Sequence, residues 1–308
     1  MARYAAVDIG SNTLLLLVVE EQGRGLRARR DLCRFGRLGQ GLDRSGRLAA
    51  EAVERSLAIA REYRAALDEE APIESMVALA TQAVREASNA AEFVKPAEEI
   101  LGVPIQVVSG EREAALVFRS VVEAFPEIAA GEVVVVDVGG ASTELIVGRG
   151  GAVQSMTSVP IGAVRLSERH LKSDPATAEE GRALIADIDE QLAALRLPRG
   201  AALIGTAGTA TTLASVAQNL RVYQADKVQG YRIGRAEVER QLARYLELTV
   251  AEKRHMPGLE PQRADVIAGG AAIYARVASF MEAGEIITSD RGIRWGAVHE
   301  LHLGSKAS

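Results

Sequence analysis

Asp8-Ile9-Gly10-Ser11-Asn12-Thr13 and Asp137-Val138-Gly139-Gly140-Ala141-Ser142-Thr143-Glu144 are two versions of one phrase, their aspartates 129 positions apart. In each, an apolar run delivers an Asp. A Gly and small hydroxyl or amide residues follow, and a second apolar run leaves (Leu14 to Val19, Leu145 to Val147). A hairpin turn of this kind crowds backbone N–H groups and short hydroxyls around one point, which suits phosphate oxygens. The Asp beside it suits a hard cation accompanying the phosphate. The glycines permit close backbone approach and positive φ. One copy is equally an ordinary hairpin. The matched pair predicts a duplicated fold with a phosphate gripped from both halves.

Three further segments could carry chemistry. In Ser109-Gly110-Glu111-Arg112-Glu113-Ala114, Ser109 is a plausible N-cap, which puts Glu111 and Glu113 in a first helical turn. There the macrodipole favours negative charge by about 0.3–1 kcal/mol. Glu113 can also be read as a base that takes a proton from an attacking water. In Ala80-Thr81-Gln82-Ala83-Val84-Arg85 an arginine follows a strand end. It is either a surface ion-pair partner or a fork that stabilises a phosphoryl group in transfer. Gly205 to Thr212 is a Gly/Thr turn with Gly208 and Thr209 as phosphate-binding candidates, individually a weak signal.

Other chemistries lack their signatures. There is no Gly-x-x-x-x-Gly-Lys-Ser/Thr loop and no Gly-x-Ser-x-Gly elbow. The four histidines are scattered and none is assigned to metal. One cysteine, Cys33, excludes an intrachain disulfide. A composition of 48% hydrophobic and 25% charged residues describes an ordinary globular chain. Its apolar stretches are too short to span a bilayer, and the opening residues resemble a strand rather than a signal peptide. A cytoplasmic protein with no membrane partner is the expectation. The net charge of −5 argues against nucleic acid as a partner. Locally, Arg24, Arg27, Arg29, Arg30, Arg34 and Arg37, with Arg44 and Arg47 beyond, form either a solvated hairpin face or a collar that guides a polyanion.

The elements that position these residues follow from periodicity and breakers. Strands are predicted at 3–9, 14–20, 26–35, 75–80 and 105–108, and helices at 49–67, 89–101 and 111–125. Pro126 to Gly131 reads as inter-domain punctuation. The plan then repeats, with strands at 132–138, 144–149 and 152–159. Thr177 and Glu180 have capping-box spacing for a helix to about Leu195. A strand at 203–204 breaks into the Gly/Thr turn, with a helix from Ala210 to Val216. Beyond Gly234 the pattern is helical with one strand at 285–288, and a last helix from Ile293 to about Leu303 packs back on the first domain.

These phrases occur together, and in the same order, in one family. Besides those already quoted, Asn89, Arg263-Ala264-Asp265 and Ser289-Asp290-Arg291-Gly292 fall in place. The chain resembles the exopolyphosphatase and guanosine pentaphosphate phosphohydrolase (Ppx/GppA) family in its short two-domain form, over nearly its whole length. The resemblance implies an α/β fold of two ribonuclease-H-like domains of the actin-like ATPase superfamily around an interdomain cleft. Residues 1–125 plus 292–308 would form the first domain and 126–291 the second. It implies Mg²⁺-dependent release of the terminal phosphate from polyphosphate, or of the 5′ γ-phosphate from guanosine pentaphosphate. A sensor that binds such nucleotides without hydrolysis and an actin-like ATPase or sugar kinase are the alternatives. By the same resemblance Glu113 is the general base and Arg85 the phosphate-binding arginine. Asp8, Asp137 and Glu144 hold metal and order water. Ser11, Asn12, Thr13, Gly139, Gly140, Ala141, Ser142, Thr143, Gly208 and Thr209 bind phosphate. A homodimer is a further implication. Ala141 departs from the family's usual third Gly and narrows the allowed φ, and Val228-Gln229-Gly230 replaces a common Val-His-Gly.

Overall fold

A computed structural model describes residues 1–23 and 25–307 of the chain, so Arg24 of the basic run lies outside the described residues. The chain divides into two compact units: Met1–Ser120 with Ile293–Ser308, and Val121–Gly292.

The first unit is built on a five-stranded sheet of β1 (Arg3–Ile9), β2 (Leu14–Gln22), β3 (Gly25–Arg34), β4 (Ser75–Ala80) and β5 (Ile105–Val107), in the order β3-β2-β1-β4-β5. β1, β2 and β3 are antiparallel neighbours, and β4 and β5 run parallel to β1. The central strands are apolar on both faces because helices cover both. Ala5, Val7, Ile9, Leu14, Leu16 and Val18 join the core formed with the helices Ala50–Glu69 and Ala91–Leu101. On the other face Tyr4 meets the C-terminal helix Ile293–Ala307, its ring edge-on to His302 and its hydroxyl 2.7 Å from Ser305 Oγ. That helix groups with the first unit. At Gly296 it passes so close to the helix Gly110–Ala124 that a Cβ would lie 1.9 Å from the Leu116 carbonyl oxygen.

The second unit repeats the plan. β6 (Glu132–Val138), β7 (Thr143–Arg149), β8 (Ala152–Val159), β9 (Ala202–Thr206), β10 (Arg232–Gly234) and β11 (Glu285–Thr288) form a six-stranded sheet in the order β10-β11-β9-β6-β7-β8. β6, β7 and β8 are antiparallel, β9 is parallel to β6, and β11 is parallel to β9. Val133 to Val136 are wholly buried, and each such side chain contributes about 1.5–3 kcal/mol by leaving water.

The offset of 129 residues holds throughout the first two strands of each unit. β1 and β6 start and end at equivalent positions, as do the starts of β2 and β7. Even the irregularity in the next ladder is shared. The β2–β3 register shifts between Val18 and Val19, and the β7–β8 register between Val147 and Gly148. This is the ribonuclease-H-like order expected, written twice with β10 as an addition.

Several local expectations are corrected. The Gly/Thr segment is not a turn: β9 runs to Thr206 and a helix begins at once, Ala207–Ala217, through Ala207 at φ 63°. Gly205 is required there by packing, since a Cβ would meet the Tyr274 ring at 2.8 Å. The segment Asp43 to Leu48 is overlapped by a short helix, Leu42–Ser45, and Pro126–Ala129 is another. The helices Gln82–Glu86 and Ala163–His170 are additional to the predicted set.

Candidate active site

The doubled phrase forms two turns of the same construction. Ile9 faces Leu14 and Val138 faces Thr143, which leaves residues 10–13 and 139–142 to connect the strands. Gly10 N–H donates to the Thr13 carbonyl and Gly139 N–H to that of Ser142, both at 2.9 Å. The next carbonyls are tied from behind. Those of Ser11 and Asn12 accept the amides of Gly39 and Arg37, at 2.8 and 2.9 Å. Those of Gly139 and Gly140 accept amides from the start of the helix Ala163–His170. With the carbonyls engaged, the amides of Ser11, Asn12, Gly140 and Ala141 take part in no hydrogen bond among the described residues. Each turn thus offers a small nest of donors to an anion.

Positive φ, expected of these glycines, is not what they supply. Gly10, Gly139 and Gly140 all lie outside the left-handed region, and so does Ala141, which is therefore accommodated without strain. The glycines allow close approach instead. A Cβ on Gly139 would sit 3.1 Å from the Ser142 carbonyl oxygen, and one on the neighbouring Gly162 would sit 2.5 Å from that of Gly140.

In the first unit the predicted residues collect at the carboxyl ends of β1, β4 and β5, the edge where open α/β sheets bind ligands. Asp8 lies one residue before the end of β1, and the Thr81 amide just past β4 donates to the Ile9 carbonyl. Arg85, in the helix Gln82–Glu86, donates through Nη1 to the Val108 carbonyl just beyond β5. Ser109 caps the next helix by accepting the Arg112 amide at 3.2 Å. That separates the two glutamates. Glu111 is held below its ordinary value by its own backbone amide and the Ser109 hydroxyl, with Arg85 adding to the effect. The capping explanation therefore belongs to Glu111. Glu113 lies further along the same helix, half-buried, with Oε2 shut off from solvent. Arg112 grips Glu300 with both Nη atoms and so fixes this helix to the C-terminal one. Asn89 is architectural: its amide clamps both backbone groups of Leu48.

In the second unit Asp137 lies one residue before the end of β6, opposite Glu144. Glu144 is fully buried and accepts the Ser158 hydroxyl at 2.8 Å. Burial, and then the Asp137 charge, push the Tyr274 phenol well up, so it stays protonated and donates to the carbonyls of Val136 and Thr206. Thr143 directs its hydroxyl to the Ile161 carbonyl at 2.7 Å. Gly208 lies in the first turn of the helix Ala207–Ala217, with the Arg263 guanidinium where a Cβ would stand. Thr209 is 4% exposed and its hydroxyl lies against Gly270. Gln229 accepts the Asp290 amide at 2.7 Å, which gives the residue at the Val-His-Gly departure a structural use.

The donor set suits a hard cation. Asp8 Oδ1 is buried and accepts no hydrogen bond, and burial pushes the carboxyl up to about 6 against the opposing pull of Arg294. A cation is the kind of group that would satisfy such an oxygen. Among the described residues no three His, Cys, Asp or Glu side chains form a ready-made cage. Mg²⁺ needs none, because one or two carboxylates with phosphate oxygens and water suffice.

The basic run resolves into ion pairs. Arg30 binds Glu69 and Glu70, Arg29 reaches Glu70, Arg34 binds Glu62 and Arg27 approaches Glu20. This is the solvated-face reading. Sequence reasoning also passed over Gly39, Gly162, Arg165, Ser158 and Arg294, which act on the turns and acids through tertiary contacts. Arg294 is buried and donates to the Leu16 carbonyl and to Asp31 as well as facing Asp8.

A profile of the Ppx/GppA phosphatase family matches residues 19–304. Exopolyphosphatase 2 of Mycobacterium tuberculosis is 35% identical over 293 residues, covering 90% of each chain. Among solved structures, an exopolyphosphatase-like protein superposes with a TM-score of 0.91 at 32% identity over 97% of both chains. The Aquifex aeolicus Ppx/GppA family member gives 0.84 at 30% identity over 100% of this chain and 99% of its own. With its duplicated sheets and its anion-ready turns, this chain belongs to the Ppx/GppA phosphatase family.

Proposed function

We propose that this chain is an exopolyphosphatase that removes the terminal phosphate of inorganic polyphosphate. The observation that carries the reading is the pairing of Arg85 with the Glu113 helix: Arg85 is bonded to the residue just before its cap, at the carboxyl edge of the first unit's parallel strands. A pure binding protein has no need of a carboxylate there. The relatedness to Exopolyphosphatase 2 supports the substrate class.

In the reaction a water oxygen attacks the terminal phosphorus and Glu113 accepts the water's proton. The bridging P–O bond breaks and its electron pair leaves on the shortened chain, giving orthophosphate. The leaving group is already a good anion, so positioning and charge stabilisation supply most of the catalysis. Arg85 stabilises charge on the transferring group. The amides of the 10–13 and 139–142 turns bind phosphate oxygens. Asp8, Asp137 and Glu144 would hold Mg²⁺, which supplies neutralisation of phosphate charge when bound. A cytoplasmic setting is part of the same proposal; among the described residues no helix is long and apolar enough to cross a membrane.

The test is phosphate release from long-chain polyphosphate and from guanosine pentaphosphate, each with Mg²⁺. Faster release from polyphosphate is expected. Preference for the nucleotide would make the chain a pentaphosphate phosphohydrolase, and no release from either would refute the hydrolase reading.

A further inference from the structure

The two turns are held back at equivalent carbonyls by unrelated parts of the chain, and one tie differs in kind. At the offset of 129, Ser11 and Asn12 correspond to Gly140 and Ala141. The Ser11 carbonyl accepts the Gly39 amide, and the Gly140 carbonyl accepts those of Val164 and Arg165 at 2.9 and 3.0 Å. The Asn12 carbonyl accepts a backbone amide, from Arg37. The Ala141 carbonyl instead accepts Nη1 of the Arg165 side chain, at 2.9 Å.

Arg165 is only 8% exposed. Burying a guanidinium costs far more than burying a neutral donor, and in the first unit a neutral donor does the same task. What the arginine adds is a permanent charge, set behind a turn whose amides already face outward. A fixed charge in a partly desolvated position acts on an anion more strongly than one in water. The close approach that places it there depends on Gly162, where a Cβ would strike the backbone of Gly140 and Ala141.

We infer that Arg165 is a positioning residue for substrate phosphate. It holds the Ala141 carbonyl back so that the amides of the 139–142 turn face the phosphate, and it places a positive charge behind them. The inference rests on the reading that this turn binds phosphate.

Polyphosphate kinetics of Arg165 variants test it, with circular dichroism to verify folding. Arg165→Met should raise KM about tenfold or more while kcat changes less than about threefold, the pattern of lost uniform binding. Arg165→Gln can still tie the Ala141 carbonyl but carries no charge, so its KM should also rise. A merely structural tie predicts that Gln restores the wild-type KM, which would overturn the inference. Guanidinium ion at low millimolar concentration should lower the KM of Arg165→Ala, whereas urea should not. Equal rescue by urea would also overturn it. Ala141→Pro deletes a turn amide and separates this inference from the reading beneath it. If KM rises in Ala141→Pro but not in folded Arg165→Met or Arg165→Gln, the turn binds phosphate and Arg165 has no part in it. If KM is unchanged in all three, the turn itself is not the phosphate site.

Discussion

Ser158 Oγ donates to Glu144 Oε1 at 2.8 Å across the β7–β8 ladder, where the two residues stand in register. Glu144 is fully buried and Ser158 is exposed. A hydroxyl on the open side of an edge strand thus fixes the orientation of an acid inside the unit. Hydrogen bonds to charged groups are worth about 1.5–3 kcal/mol. Ser158→Ala should therefore lower kcat/KM for polyphosphate by about tenfold, and the melting temperature should fall by a few degrees. Steady-state phosphate release measures this, and unchanged kinetics would detach Glu144 from the chemistry.

Gly162→Ala should damage the second turn by contact alone. The added Cβ would meet Gly140 and Ala141 backbone atoms at 2.5–2.6 Å, and backbone cannot rotate away. Overpacking of this kind costs about 1–3 kcal/mol. Thermal unfolding and KM should both worsen. Gly284→Ala, with open space around its Cβ, is the matched control and should change neither.

Arg30 should matter to stability and not to substrate. It is 37% exposed and already pairs with Glu69 and Glu70, so its loss should lower stability only slightly. Arg30→Ala should leave the polyphosphate KM unchanged at low salt. A KM increase that disappears at high salt would reinstate the polyanion collar.

How much of this could be read from the residues depended on whether their reasons were local. The doubled phrase was legible because strand, turn and strand are adjacent in the chain, and the capping box at Thr177 and Glu180 is present in full. The helix Ala207–Ala217 was misread because Gly205 and Gly208 look like turn residues, yet one makes room for the Tyr274 ring and the other for Arg263. The helix Ala163–His170 escaped because its start is fixed to carbonyls of a turn more than twenty residues earlier. The arginine run stayed ambiguous because its acids, Glu62, Glu69 and Glu70, come from a different element.

Glu180 gives a pH dependence with a definite sign. Its carboxylate accepts the amides of Thr177, Lys172 and Ser173, which hold it down to about 2 from 4.5. A depressed native value means that the stabilisation is full above the unfolded value and fades as pH falls from 4.5 toward about 2. Glu180→Gln should therefore melt below the wild type at neutral pH, and the gap should narrow in acid. A gap that widens as pH falls would contradict this.

The central claim is that Glu113 breaks the bond while the turns and acids hold the phosphate. Glu113→Gln keeps the shape of the side chain and removes its capacity as a base. The decisive measurement is its turnover of polyphosphate beside its equilibrium affinity for the same polymer. Turnover should fall by about a hundredfold or more with affinity changed less than about threefold. Turnover that survives in the folded variant would contradict the account.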